Sequence, residues 1–387
     1  MDKTTQLLLR ALENTVYGQC EVILDTGQSY AFAGKYPGPA ASIRIHHPQM
    51  LRQVAIGGDI AFADAYRLGH WDSEDIAGLV EFVLCNEHAL QPFIFGQRLR
   101  QWLSQLLYVF RRNTRAGSRK NIHAHYDLGN DFYALWLDAT MSYSSAWYRH
   151  GNEDLFTAQQ HKYDRILAQF DTQPQQLLEI GCGWGGFAER CLTQTNHHVK
   201  GITISTQQHD YAVQRLQPFG DAATVVLEDY RDQRGKYDGL VSIEMFEAVG
   251  ERYWKTYFAQ VNALLQKKGT AVIQTITIDD DHFANYRKSG DAIRSFIFPG
   301  GMLPSPSRLK QLAQAANLQI TDTFYFGQDY AKTLLDWLAR FDRQVDLIAS
   351  QHLDPGFARL WRFYLAYCAG AFNAGRTNVV QLTLRHA

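Results

Sequence analysis

Residues 177–186 read Leu-Leu-Glu-Ile-Gly-Cys-Gly-Trp-Gly-Gly. An apolar run enters a turn with four glycines in six residues, and the helical stretch FAERCLTQT follows. Glycine tolerates positive φ and lets a ligand approach the backbone closely. Gly181, Gly183 and Gly186 satisfy the GxGxxG spacing of dinucleotide sites. Those sites also carry an acid about 20 residues on, to hold a ribose. Here the next strand ends Gly201-Ile202-Thr203-Ile204-Ser205, with no acid until Asp210, which argues against a nicotinamide cofactor. Glu179 stands two residues before the first glycine, the pattern of loops that bind S-adenosylmethionine (AdoMet). A glycine turn without a ligand is the alternative.

A second candidate is the pair Glu244 and Glu247, three residues apart after the apolar run GLVSIE. Two neighbouring carboxylates suit acid/base chemistry; equally, one of them caps the helix that follows. The five cysteines (Cys20, Cys85, Cys182, Cys191, Cys368) are odd in number, far apart and form no CxxC pair. That spacing points away from a disulfide framework or zinc cluster and towards a reducing compartment. The histidines His123, His125, His197, His198 and His282 show no metal-ligand spacing, so no metal site is expected.

These residues need elements to position them. QLLEI, HVKGITI, ATVVLE, GLVSIE, TAVIQTITI and LQITDTFYF read as strands, with helical stretches between them. Alternation of this kind predicts an α/β, doubly wound, mostly parallel sheet from residue 123 to 387. Ligands in such sheets bind beyond the carboxyl ends of the strands, where both candidate motifs fall. Residues 1–95 read as a smaller N-terminal α+β domain without a catalytic motif. Between them, 96–122 carries Arg98, Arg100, Arg111, Arg112, Arg115, Arg119 and Lys120, interleaved with Trp102, Leu106 and Phe110. A basic amphipathic stretch of this kind suits an anionic membrane surface; a solvated linker is the plainer reading.

Composition agrees. The chain has 387 residues, 46% hydrophobic and 20% charged, so a large core is available and a wholly disordered chain is excluded. Its length suggests about two or three domains. A net charge of −1 excludes nucleic-acid binding through bulk positive charge. Aromatic residues make up 13%, a surplus suited to an apolar or cationic ligand. No run reaches the ~18 apolar residues of a membrane span, and the N-terminus lacks a signal peptide's apolar segment.

The motifs together resemble the cyclopropane-fatty-acyl-phospholipid synthase family of AdoMet-dependent lipid methyltransferases. The matching stretches are HYDLGNDFYALWLDATMSYSSAWY (125–148), LLEIGCGWGGFAER (177–190), GITISTQQ (201–208), EDYRD (228–232), SIEMFEAVG (242–250), FIFPGGMLPS (296–305), DYAKTLLDWLARF (329–341) and FYLAYCAGAF (363–372). The resemblance implies the class I methyltransferase fold, with residues 1–95 as a lipid-handling domain. It implies AdoMet contacts at Tyr143, Ser144, Gly181, Gly183, Thr203, Ile204, Gln208, Asp229 and Tyr230, alongside the Glu179 read from the loop. The partners implied are unsaturated phospholipid acyl chains at an anionic membrane surface. A cytoplasmic enzyme, peripheral at the inner face of the membrane, fits that substrate, as a single chain or as a homodimer.

The implied reaction attacks the AdoMet methyl with a cis double bond. The cation formed must be kept from water and must lose a proton to a base. Loss from the transferred methyl closes a cyclopropane; loss from a neighbouring carbon leaves a methyl- or methylene-branched chain. In the family the base is a bicarbonate held by a Cys, a Glu, a His, a backbone amide and a Tyr. The Glu maps to Glu247, the Tyr to Tyr330 and the amide to Ile276. The Cys and His positions hold Ser145 and Gln274. Both can still donate hydrogen bonds, so the anion is either cradled by neutral groups or replaced, with Glu247 itself as base. An amine methyltransferase and a non-catalytic lipid binder are the competing readings.

Overall fold

The computed structural model describes residues 2–94, 128–351, 354 and 356–387. The basic stretch 96–122 lies outside the described residues, as do His123 and His125. The chain forms two compact units. One gathers the described N-terminal residues with Ala284–Pro299 and Leu334–Thr377. The other takes the rest, including Gly300–Thr333 and Asn378–Ala387.

The N-terminal unit carries a four-stranded sheet of order β2-β1-β3-β4, from β1 (Tyr17–Ile23), β2 (Ser29–Ala33), β3 (Tyr36–Ile45) and β4 (Trp71–Asp72). β1 pairs antiparallel with β2 and parallel with β3. The helix Ile76–Cys85 is apolar almost all round and buries Ile76, Leu79, Val80 and Phe82. Asp75 caps it by accepting the Gly78 N–H at 2.8 Å. The aromatic helix Phe357–Asn373 packs against it so closely that a Cβ at Gly370 would stand 2.5 Å from the Ala77 carbonyl oxygen. Trp361, Phe363, Leu365 and Phe372 are therefore core of this unit.

The second unit holds a seven-stranded sheet of order β10-β11-β9-β8-β5-β6-β7. Its strands are β5 (Gln176–Ile180), β6 (His198–Thr203), β7 (Ala223–Leu227), β8 (Tyr237–Ile243), β9 (Leu265–Ile278), β10 (Leu318–Tyr325) and β11 (Thr377–His386). β5 pairs parallel with β6 and β8, and β7 and β9 extend the parallel run on either side. β10 and β11 close one edge as an antiparallel pair. Chain order thus reverses at β5, which opens a crevice at the carboxyl ends of the central strands. This is the doubly wound sheet expected from the sequence, with every strand read there present. β11 was not read: it follows the helical tail, and its partners are distant in the chain.

The core of this unit joins Ile166 and Phe170 below β5 to Leu177, Phe187, Val199, Val241 and Val272. Each such side chain contributes roughly 1.5–3 kcal/mol by leaving water. Gly239 lets β8 lie against that layer, because a Cβ there would stand 2.4 Å from Leu177.

Candidate active site

The glycine loop leaves β5 with Gly181 at φ 80°, Gly183 at 53° and Gly185 at 83°. Two loop amides, those of Gly181 and Cys182, donate to the Ile202 carbonyl on β6 at 2.9 and 3.0 Å. Side chains are excluded for two different reasons. A Cβ at Gly181 would meet Met245 Cγ at 2.7 Å, whereas one at Gly183 would meet none of the described residues within 4 Å. Glu179 is buried, and among the described residues its Oε2 has no hydrogen-bond partner. Burial holds its carboxyl well above the ordinary carboxylate range. An open-sided glycine cradle beside an unsatisfied buried acid suits AdoMet.

The other residues implied as cofactor contacts lie on neighbouring strand ends or in the lead-in. Thr203 ends β6, and its hydroxyl donates to the Gln208 side chain at 2.9 Å. Ser205 caps the helix Thr206–Leu216, and half-buried Ile204 stands between them. Asp229 follows β7 and is clamped by Arg231, which donates Nε–H at 2.8 Å and Nη2–H at 2.6 Å. Asp229 also accepts the Arg231 backbone N–H at 3.0 Å, the local turn that Asp favours. The Tyr230 ring meets Tyr257 edge-on at 5.5 Å. The Tyr143 ring rests on Tyr133 and Trp136, with centroids 5.5 and 5.4 Å away.

Ser144 is held by two residues that sequence reading missed. Gln159 donates to its carbonyl at 2.9 Å, and Lys162 Nζ donates to its hydroxyl at 2.8 Å. Both lie on the buried face of the helix Leu155–Leu167, beside Leu155, Ala158 and Ile166. Polar residues interrupting an apolar helical stripe were the available signal. Lys162 is fully buried with its ammonium 4.4 Å from the Tyr163 ring centroid. Burial lowers its pKa to about 8, against the pull of Glu244, Asp138 and Glu179.

The carboxylate pair sits just past β8. Glu244 has φ 49°, a left-handed backbone that side chains rarely adopt. Its N–H donates to the Gln274 carbonyl on β9 at 2.8 Å. Its Oε1 accepts the Ser145 backbone N–H at 2.8 Å and the Gln274 side-chain N–H at 2.7 Å. Its Oε2 accepts the Tyr330 hydroxyl at 2.7 Å. Gln381 fixes the direction of the Gln274 amide by donating to its oxygen at 3.0 Å. Glu247 Oε1 accepts the Ile276 N–H at 2.5 Å and the Thr275 hydroxyl at 3.0 Å, while its buried Oε2 has no partner among the described residues. Phe246, wedged between Trp254, Tyr257 and Phe258, locks the turn joining the two acids. The Met302 N–H binds the Glu247 carbonyl at 2.9 Å, a place for the FPGGMLPS stretch.

The five catalytic positions implied by resemblance therefore do converge, but Ser145, Gln274 and Tyr330 converge on Glu244, and only Ile276 turns to Glu247. The Ser145 hydroxyl points away, donating to the Ala146 carbonyl at 3.0 Å. A free bicarbonate does not fit this arrangement, since the Gln274 amide, the Tyr330 hydroxyl and the Ile276 N–H are spent on carboxylates of the chain itself and the Ser145 hydroxyl on a backbone carbonyl. Sequence reading weighed Glu244 and set Glu247 in the role; the converging donors were not visible from spacing.

Comparison with known proteins agrees with this geometry. The family model of mycolic acid cyclopropane synthetase matches residues 113–382. The chain belongs to that family. Within the family it is 36% identical to a tuberculostearic acid methyltransferase of Mycobacterium tuberculosis, over 89% of this chain and 83% of the relative. It is 33% identical to the cyclopropane-fatty-acyl-phospholipid synthase of Escherichia coli K12, over 86% of this chain and 85% of the relative. A crystallised mycolic acid cyclopropane synthase, complexed with SAH and CTAB, superposes with TM-score 0.64 at 30% identity. That match covers 69% of this chain and 97% of the other. The protein is thus an AdoMet-dependent methyltransferase that modifies lipid acyl chains. AdoMet supplies an electrophilic methyl on a sulfonium.

Proposed function

We propose that the enzyme methylates a carbon of the cis double bond in an unsaturated phospholipid acyl chain and closes a cyclopropane. The observation that carries this reading is the buried acid pair at the end of β8. Attack of an alkene on a methyl leaves a cation, which needs a proton acceptor and a dry surround. Glu244 and Glu247, with donors from Ser145, Gln274, Ile276 and Tyr330, supply fixed acceptors at the strand end next to the glycine loop. In this reading Gly181, Gly183 and Glu179 hold AdoMet with Tyr143, Ser144, Thr203, Ile204, Gln208, Asp229 and Tyr230. The N-terminal unit handles the lipid, and the basic stretch 96–122 meets anionic headgroups at the inner face of the membrane. Among the described residues no helix is long and apolar enough to cross a membrane. A homodimer belongs to the same proposal.

A second product is favoured by one observation: the relative at 36% identity is named a tuberculostearic acid methyltransferase. On that reading no ring closes: loss of the proton from a neighbouring chain carbon leaves a methyl-branched alkene, and loss from the transferred methyl after a hydride shift leaves a methylene branch. Mass spectrometry of lipids from an expressing host fed methyl-deuterated methionine decides. Two retained deuteriums mean a ring or a methylene carbon, separated by mapping that carbon, and three mean methyl transfer without loss from that methyl. Absence of label from every lipid would overturn the proposal.

A further inference from the structure

We propose that Glu244 is the general base, its own carboxylate standing where other enzymes of this kind use a bicarbonate. The inference rests on the reading above, that a proton leaves an alkyl cation. Three donors meet at this carboxylate from three separate segments: the Ser145 amide, the Gln274 side chain and the Tyr330 hydroxyl. A carboxylate has about four acceptor sites. Among the described residues one site, on Oε2 beside the Tyr330 hydroxyl, takes no further hydrogen bond and is open for a proton. The left-handed backbone at Glu244 is held in a conformation that costs least with glycine, and strain of that kind gathers at functional sites.

Glu247 is less suited to the task. Only its Oε1 is held, by the Ile276 N–H and the Thr275 hydroxyl, and burial with the charge of Glu244 pushes its pKa up, to about 8. Burial raises Glu244 as well, but its three donors and Lys162 work against that rise and favour its ionised form. The step balances without a co-reactant. A C–H bond of the cation breaks, its proton passes to Glu244 Oε2, and the electron pair forms the ring C–C bond or a new double bond. Cation and carboxylate become neutral lipid and carboxylic acid.

The test uses the full chain and Glu244→Gly, which relieves the left-handed backbone; circular dichroism and AdoMet affinity check the fold. Titration with 13C-bicarbonate followed by NMR should show saturable binding to Glu244→Gly and none to the wild type. Binding to the wild type, or to neither, overturns the proposal. Lipid labelling by the wild type should not change when carbon dioxide is stripped from the buffer. The isosteric Glu244→Gln should slow turnover by about 10²–10⁴-fold, and Glu244→Gly should regain turnover with added bicarbonate. Carbon dioxide dependence of the wild type, or full turnover in Glu244→Gln, also overturns it. If the wild type labels no lipid, the lipid reading falls and the titration alone decides the role of Glu244.

Discussion

The glycine loop and the carboxylate pair lie at the ends of neighbouring strands, β5 and β8, yet they are built in opposite ways. The loop is local. Its form follows from glycines within six consecutive residues, three of which, Gly181, Gly183 and Gly185, take a φ that side chains resist. The carboxylate pair is global. Glu244 is oriented by Ser145, Gln274 and Tyr330, and Gln274 in turn by Gln381. A local motif tolerates change in distant parts of the chain; a converging one depends on all of them. Binding and turnover should therefore be separable, with the loop governing AdoMet affinity and the pair governing the proton.

Glu244→Gln tests that division with the largest expected effect: turnover falls by about 10²–10⁴-fold while AdoMet affinity, measured by calorimetry, is kept. A parallel loss of AdoMet affinity would erase the distinction between the two regions. Gly181→Val should do the reverse. Its Cβ would collide with Met245 at a φ of 80°, so AdoMet binding falls steeply and the fold loses about 1–3 kcal/mol in a denaturant melt.

Two pH experiments follow in size. The folded protein holds the Glu247 proton more tightly than the unfolded chain does, with a pKa of about 8 against 4.5. Protons thus favour folding, and this contribution is present below pH 4.5 and lost as the pH rises towards 8. Glu247→Gln should remove its share of that slope and reduce turnover less than Glu244→Gln does. Lys162 has the opposite sign on alkaline titration. Its ammonium is released more easily when folded, at about 8 against 10.5, so stability should rise between those values in the wild type. Lys162→Met should flatten that rise in melts recorded across the range. The smallest effect is expected for Gln381→Leu, which leaves the Gln274 carbonyl oxygen without its donor. That should cost about 1 kcal/mol and lower turnover modestly with AdoMet affinity unchanged; an unaltered enzyme would mean that Gln274 is oriented without Gln381.

The strands β5 to β10 were legible because β-branched runs alternate with helical stretches. β11 was not, since its partners β9 and β10 lie far from it in sequence. Lys162 and Gln159 were passed over because a polar side chain on a buried helical face looks like ordinary surface until burial is known. Glu247 drew the assignment through its place in the MFEAVG stretch; that the Ser145, Gln274 and Tyr330 donors meet at Glu244 was not legible from spacing.

Residue order alone thus determined the α/β class, the glycine turn and the AdoMet chemistry, because each rests on contacts between near neighbours in the chain. Only the tertiary structure decided which acid the donors serve. That choice depends on hydrogen bonds spanning 99 residues from Ser145, 86 from Tyr330 and 30 from Gln274, and on a left-handed φ at Glu244. No local pattern encodes either, because both are set by where β8, β9 and the Tyr330 helix come together.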